Sequence, residues 1–150
     1  MKIECADFSL EATLESGQVF GFEKNSLGGY EGVLLGRPIR IEQRNGFLNV
    51  KNGTSNLTSS FVRHYFDLER DLESVYTILR EDSALAPSFE AFKGLRLIRQ
   101  DAWEALACFI LSSNNNIKRI VGIYRNLVKH FGGFPSAEQI ARSHEKPCVN

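Results

Sequence analysis

The sequence predicts an α+β fold, with an antiparallel sheet in the first third of the chain and helices in the remainder. Short runs of partly alternating apolar and polar residues, separated by turn residues, extend to about residue 53. Beyond them, apolar residues recur three and four positions apart, as they do on the buried face of a helix. The pair Asn45-Gly46 between two alternating runs is a strong signal for a two-residue hairpin. A sheet followed by a helical part is therefore expected.

The N-terminal part is expected to form strands separated by segments rich in Asn, Gly and Pro. In one run, Ile39 and Ile41 alternate with Arg40 and Glu42, which indicates one buried and one solvated face. The predicted strands are Gln18–Glu23, Tyr30–Leu35, Pro38–Gln43 and Phe47–Lys51. The polar segment Thr54–Ser60 marks the end of this part.

Helical spacing follows that boundary. Apolar residues between Leu68 and Leu79 lie on one face of a first helix. Asp101 and Glu104 open the next helix in the manner of a capping box. Its apolar face is expected to contain Leu106, Phe109 and Ile110.

A long apolar stripe, Ile117–Phe131, predicts a further helix, which Gly132-Gly133 stops. Pro135-Ser136 and Gln139 predict the start of a last, short helix. The sequence thus favours an α+β domain over residues 1–93, with strands to about residue 53 and helices after, and the start of a second, helical domain over residues 94–150.

Composition narrows the possible partners and the compartment. Eighteen basic and 18 acidic residues give a net charge of zero, so a contact with nucleic acid must depend on a local patch. An odd number of distant cysteines, Cys5, Cys108 and Cys148, indicates a reducing, intracellular compartment. His144 and Cys148 are four residues apart, but no second pair has ligand spacing, so no metal site is expected. No apolar run has membrane-spanning length.

Three consecutive asparagines, Asn114 to Asn116, separate two helical segments. Asparagine bonds to nearby backbone and favours caps and turns, so this triplet predicts a sharp polar turn. Lys118 and Arg119 follow in the first helical turn, where positive charge opposes the helix dipole unless an anion binds. Lys118, Arg125 and Lys129 also share a narrow helix face. A capped surface turn and an ordinary solvated face remain the alternatives.

Three segments resemble one protein family. The sequence of Gly94–Ile120, GLRLIRQDAWEALACFILSSNNNIKRI, resembles the signature of the eukaryotic-type 8-oxoguanine DNA glycosylase/lyases, which belong to the helix-hairpin-helix superfamily. Leu14–Phe20, LESGQVF, and Tyr65–Tyr76, YFDLERDLESVY, resemble two further family segments. The three occur in the family's order with compatible spacing.

The resemblance implies base excision repair of duplex DNA that contains oxidised guanine. By this resemblance, Asn114 fills the hole that the flipped base leaves, Arg119 donates to the orphaned cytosine, and the carbonyl of Gly17 accepts the N7–H of 8-oxoguanine. Asn116 and Lys118 complete the expected DNA contacts. The family activity is a DNA glycosylase with an associated lyase, without a metal or a small-molecule cofactor.

The chain also departs from the family. Gly21 and Phe22 stand where the family usually has Arg and an aromatic residue, commonly Trp. The family's nucleophilic Lys and following Asp lie in a helix-hairpin-helix segment, and no similar hairpin occurs in these 150 residues. We therefore expect a truncated N-terminal part, with the sheet domain and the first helices of the glycosylase domain, no catalytic residue and no activity alone. The alternatives are a non-catalytic damaged-DNA-binding module or pseudoenzyme, and an interaction domain that shares the scaffold.

Overall fold

A computed structural model of the chain describes residues 1–34, 37–52 and 57–143. The strands are β1 Lys2–Glu4, β2 Phe22–Lys24, β3 Tyr30–Leu34, β4 Arg37–Arg44 and β5 Phe47–Asn52. The helices are α1 Leu10–Leu14, α2 Ser59–Tyr65, α3 Leu72–Arg80, α4 Ala86–Ala91, α5 Ala102–Ser112, α6 Ile117–Phe131 and α7 Ala137–Ser143. The predicted α+β class, a sheet followed by helices, is confirmed.

All five strands form one antiparallel sheet in the order β1-β5-β4-β3-β2. The predicted hairpin joins β4 and β5, with Arg44 opposite Phe47. Asn45 and Gly46 have φ values of 50° and 75°. Both values are in the left-handed region that this turn requires. Ile39 and Ile41 are buried and Arg40 is exposed, so the predicted two-faced strand is confirmed.

The first predicted strand is wrong for residues 18–21, which lie in the loop between α1 and β2. Two elements before this loop were not expected from the sequence. The three-residue strand β1 exists because β5 supplies its hydrogen-bonding partner. Helix α1 begins where the Ser9 hydroxyl accepts a hydrogen bond from the Ala12 amide at 3.2 Å.

The core lies between the sheet and helix α2. Leu48, Val62 and Phe66 are fully buried in it. The Thr58 hydroxyl caps α2 by accepting from the Phe61 amide at 3.2 Å, so the end of the predicted boundary segment is helical. Residues 53–56 of that segment lie outside the described residues. Ile98 belongs to the same core, so the chain before α5 packs against the sheet.

The later helices begin and end with the predicted caps. The Asp101 carboxylate accepts from the Glu104 amide at 3.0 Å at the start of α5, and Gly132 ends α6 with a φ of 74°. The side chains of Ser136 and Gln139 cap α7 reciprocally. Within the described ranges, none of the helices has the length and apolar character needed to cross a membrane.

Helix α5 leaves part of its apolar surface uncovered. Phe109 is 73% exposed and Ile110 is 59% exposed, while Ala107 and Cys108 face the interior. The predicted apolar face of Leu106, Phe109 and Ile110 is therefore directed to solvent in this part of the chain. Periodicity places these residues on one side of the helix, but only the surrounding structure determines what covers that side.

Candidate nucleic-acid interface

A cavity of about 680 Å³ brings together two segments that are far apart in the sequence. One wall is the loop between α1 and β2, and the other is the asparagine turn with the start of α6. The residues that line it are Gly17, Phe20, Ser112, Asn115, Asn116, Ile117, Lys118 and Ile120. Of the predicted site residues, Gly17, Asn116 and Lys118 line this cavity. Asn114 and Arg119 lie beside it, exposed at the turn and in the first turn of α6.

Gly17 presents its backbone to this cavity. Its φ is 83°, a conformation that residues with a side chain rarely adopt. A Cβ placed there would lie 3.9 Å from the Cδ1 atom of Ile117 across the cavity wall. No described residue donates a hydrogen bond to the Gly17 carbonyl. The loop therefore contributes only backbone atoms to the cavity wall at Gly17, and the Gly17 carbonyl there is a hydrogen-bond acceptor without a donor among the described residues.

The neighbouring Gln18 side chain holds this loop in place. Its amide nitrogen lies 2.8 Å from the Arg96 carbonyl oxygen and 3.1 Å from the Thr13 carbonyl oxygen. Its amide oxygen accepts from the Ile98 amide at 2.7 Å. The Gln100 side chain in turn donates to the Gln18 carbonyl at 2.9 Å. These bonds tie the loop to the segment before α5, so the cavity glycine has a fixed position.

The three asparagines have separate roles. Asn115 donates its side-chain N–H to the Leu111 carbonyl at 2.7 Å and closes α5. Asn116 accepts from the Arg119 amide at 3.0 Å and caps α6. Asn114 has a φ of 56°, is exposed, and makes no side-chain hydrogen bond within the described part of the chain. Two asparagines thus build the turn, and the third projects from it with its amide unused.

Positive charge beside the cavity is provided by Lys118 and Arg119. Neither forms an ion pair with any described residue. Arg125, on the predicted basic face, is paired with Glu23 at 2.5 Å. The charge of that face is therefore partly compensated two turns away from the cavity, whereas Lys118 and Arg119 at the start of α6 and Lys129 in its last turn have no ion pair among the described residues.

A polar pair, the buried Tyr124 and the half-buried Glu104, connects α5 and α6. The Tyr124 hydroxyl donates to the Glu104 carboxylate at 2.8 Å. Burial raises the pKa of Glu104, and the hydrogen bond from Tyr124 opposes this only in part. Burial and the nearby carboxylate both raise the pKa of Tyr124. From the sequence, Glu104 is predicted only as a capping residue, and Tyr124 and Gln18 have no predicted role. Nothing in the neighbouring sequence shows which residue each of these side chains contacts.

The structure contains no evidence for a metal centre in the part of the chain that it describes, where no three His, Cys, Asp or Glu residues cluster. His144 and Cys148 lie outside the described residues. Cys5 and Cys108 are buried free thiols. Burial, with a smaller effect of Glu104, raises the pKa of Cys108 to about 11, which makes it unreactive at neutral pH.

Comparison with known proteins shows which family the chain resembles. Residues 1–106 match the family described as 8-oxoguanine DNA glycosylase, N-terminal domain. The N-glycosylase/DNA lyase of Saccharomyces cerevisiae is 30% identical over 105 residues, which cover 59% of this chain and 27% of the yeast protein.

Solved structures show the same similarity. MBOgg1 in complex with a low-affinity DNA ligand has a TM-score of 0.79 and 35% identity, and the match covers 85% of this chain and 44% of that one. The Clostridium acetobutylicum 8-oxoguanine glycosylase/lyase, in complex with double-stranded DNA containing cytosine opposite 8-oxoG, has a TM-score of 0.77 and 27% identity, with coverage of 87% and 48%. The chain thus spans less than half the length of each of these three proteins.

Proposed function

The chain belongs to the 8-oxoguanine DNA glycosylase family, and we propose that it acts in base excision repair as the part of a DNA glycosylase/lyase that recognises 8-oxoguanine in duplex DNA. Its predicted division into a sheet domain over residues 1–93 and a helical domain from residue 94 is part of this proposal. One observation carries it. Gly17, whose carbonyl accepts no hydrogen bond from any described residue, and the asparagine turn line the same cavity.

The carbonyl of Gly17 has the chemistry to distinguish the oxidised base. 8-Oxoguanine carries a hydrogen on N7, whereas guanine has a lone pair there. A backbone acceptor therefore attracts the lesion and repels the normal base. A glycine is needed because only a residue without Cβ lets the backbone approach the base closely. The cavity, at about 680 Å³, is within the usual size range of small-molecule sites.

The asparagine turn supplies what base flipping requires. Taking a base out of the stack costs roughly a few kcal/mol and leaves a hole beside its partner. We assign Asn114 to that hole. Its amide makes no bond in the described part of the chain, and Asn115 and Asn116 already hold the turn, which supports the assignment. Arg119 is assigned to the orphaned cytosine, and Lys118 to a phosphate near the cavity.

The partner in this proposal is double-stranded DNA that contains oxidised guanine. Similarity to glycosylases solved with DNA, one of them with cytosine opposite 8-oxoG, supports it. Because the net charge of the chain is zero, the contact depends on the local charges of Lys118 and Arg119. We place the protein in a DNA-containing, reducing compartment, the cytoplasm or the nucleus, in keeping with the buried free thiols of Cys5 and Cys108.

The nucleophile and its partner Asp are proposed to lie outside these 150 residues. Lys118 is the lysine that lines the cavity in the described ranges, but it does not match the family nucleophile. The alternative, a non-catalytic damage-binding module, shares the recognition surface and differs only in chemistry. Incubation with 8-oxoguanine duplex and borohydride tests whether any lysine present here acts as the nucleophile. We expect no trapped covalent adduct. A trapped adduct would assign a nucleophile to this chain.

Lesion recognition is tested by replacing Gly17 with alanine. The matched control is Gly46→Ala, because Gly46 has a similar φ of 75° and open space around it. Fluorescence anisotropy measures the affinity for 8-oxoG:C and G:C duplexes. We expect Gly17→Ala to abolish the preference for the lesion and Gly46→Ala to keep it. A Gly17→Ala variant that still prefers 8-oxoguanine contradicts the proposed function.

A further inference from the structure

Gly21 lies against the ring of Tyr124. A Cβ added to Gly21 would lie 2.7 Å from the Tyr124 hydroxyl oxygen and 3.1 Å from its Cζ atom. Both distances are shorter than ordinary van der Waals contacts. Gly21 is not among the glycines with positive φ, so its own backbone does not require a glycine. The neighbouring tyrosine is the reason that no side chain fits at this position.

Burial and two contacts hold the tyrosine in place. Tyr124 is 3% exposed, and its hydroxyl donates to the Glu104 carboxylate at 2.8 Å. Its ring stacks on Phe134 with centroids 5.1 Å apart. A side chain at residue 21 would therefore displace a packed and hydrogen-bonded ring rather than a mobile one.

The loop that carries Gly17 runs alongside α6 and meets it at two points. Ile117 faces Gly17, and Tyr124 meets Gly21 two helical turns later, about 10 Å along the helix axis. Because α6 begins directly after the asparagine turn, any sliding or tilting of α6 against the loop moves that turn relative to Gly17.

We propose that Tyr124 is a positioning residue, held by Glu104 and accommodated by Gly21, that fixes the register of α6 against the Gly17 loop and so shapes the cavity. This assignment depends on the proposed function in one respect, which is that the cavity receives the flipped base. It also explains the departure from the family at residue 21, because the usual Arg cannot occupy the space that the tyrosine ring takes here.

The test introduces one methyl group at two places in the full 150-residue chain. Gly21→Ala adds it against Tyr124, and Gly122→Ala adds it on α6 where nothing lies within 4 Å. The ¹³C-methyl resonance of the Ile117 δ1 group reports the register without any DNA. Anisotropy then measures the preference for 8-oxoG:C over G:C duplex.

We expect Gly21→Ala to shift the Ile117 methyl resonance and to lower the lesion preference by roughly tenfold, because small misplacements have large effects in such sites. Gly122→Ala should change neither readout. Tyr124→Phe removes the hydroxyl oxygen, which is the atom closest to the added methyl group. In the double variant, the lesion preference and the Ile117 resonance should therefore move back towards those of the unsubstituted chain, because the effects of residues in contact are not additive.

Equal behaviour of Gly21→Ala and Gly122→Ala overturns the proposal. A double variant with the same Ile117 resonance and the same lesion preference as Gly21→Ala also overturns it. The same holds if the single Gly21→Ala variant and the double variant both fail to fold. If the unsubstituted chain shows no lesion preference, the proposed function fails, while the Ile117 resonance still decides the role of Tyr124.

Discussion

Replacing Gln18 with alanine should strongly destabilise the N-terminal part of the chain. Its side-chain nitrogen has two N–H groups and three nearby acceptors, the Thr13 and Arg96 carbonyls and the Ser16 hydroxyl. Its oxygen accepts from the Ile98 amide. At most three bonds therefore form at once, and the substitution removes all of them together.

The magnitude follows from those three bonds. A hydrogen bond contributes about 1 kcal/mol to stability, and a backbone group left unsatisfied loses at least that amount. The expected loss is thus about 3 kcal/mol in the free energy of unfolding. For a chain of this size, such a loss corresponds to a fall of roughly 6–12 °C in Tm.

Urea unfolding, followed by circular dichroism and by fluorescence of Trp103, the one tryptophan, measures this loss. Gln100→Ala is the matched control, because its side chain makes one bond, to the Gln18 carbonyl at 2.9 Å. It should lower stability by only about 1 kcal/mol. If Gln18→Ala destabilises the chain no more than Gln100→Ala, the side chain does not tie the loop to the segment before α5.

Two further substitutions test the turn and a buried carboxylate. Asn114→Ala should keep the fold and weaken binding to 8-oxoG:C duplex. Asn45→Ala, at another exposed asparagine with positive φ, should not weaken it. Equal binding by both variants would mean that the asparagine triplet acts only as a helix cap. Burial raises the pKa of Asp67, but hydrogen bonds from Arg70 and Arg99 outweigh it and hold the pKa below the ordinary 3.8. The stabilisation is therefore present above about pH 3.8 and is lost as the pH falls through the lower folded pKa. Asp67→Asn should reduce the urea midpoint at pH 7 and progressively less below pH 4, and a gap that stays constant with pH would contradict this.

The sequence by itself determined the elements whose signals are local. The Asn45-Gly46 hairpin, the caps at Asp101 and Asn116, and the full extent of α6 each depend on backbone preferences or on hydrogen bonds that span a few residues. The same is true of the alternation in β4. The motif resemblance also predicted a shared site for Gly17 and the asparagine turn, and the two segments line one cavity.

Only the tertiary structure decided how distant segments meet. Residues 18–21 belong to a run with partial alternation that predicted a strand, but Gln18 bonds to Arg96 and Ile98 instead of to a strand neighbour. Strand β1 is too short to be predicted and exists because β5 pairs with it. The fit of Tyr124 against Gly21 depends on how α6 packs against the loop. These contacts close long stretches of chain, so their stability comes from partners that no short window of sequence contains.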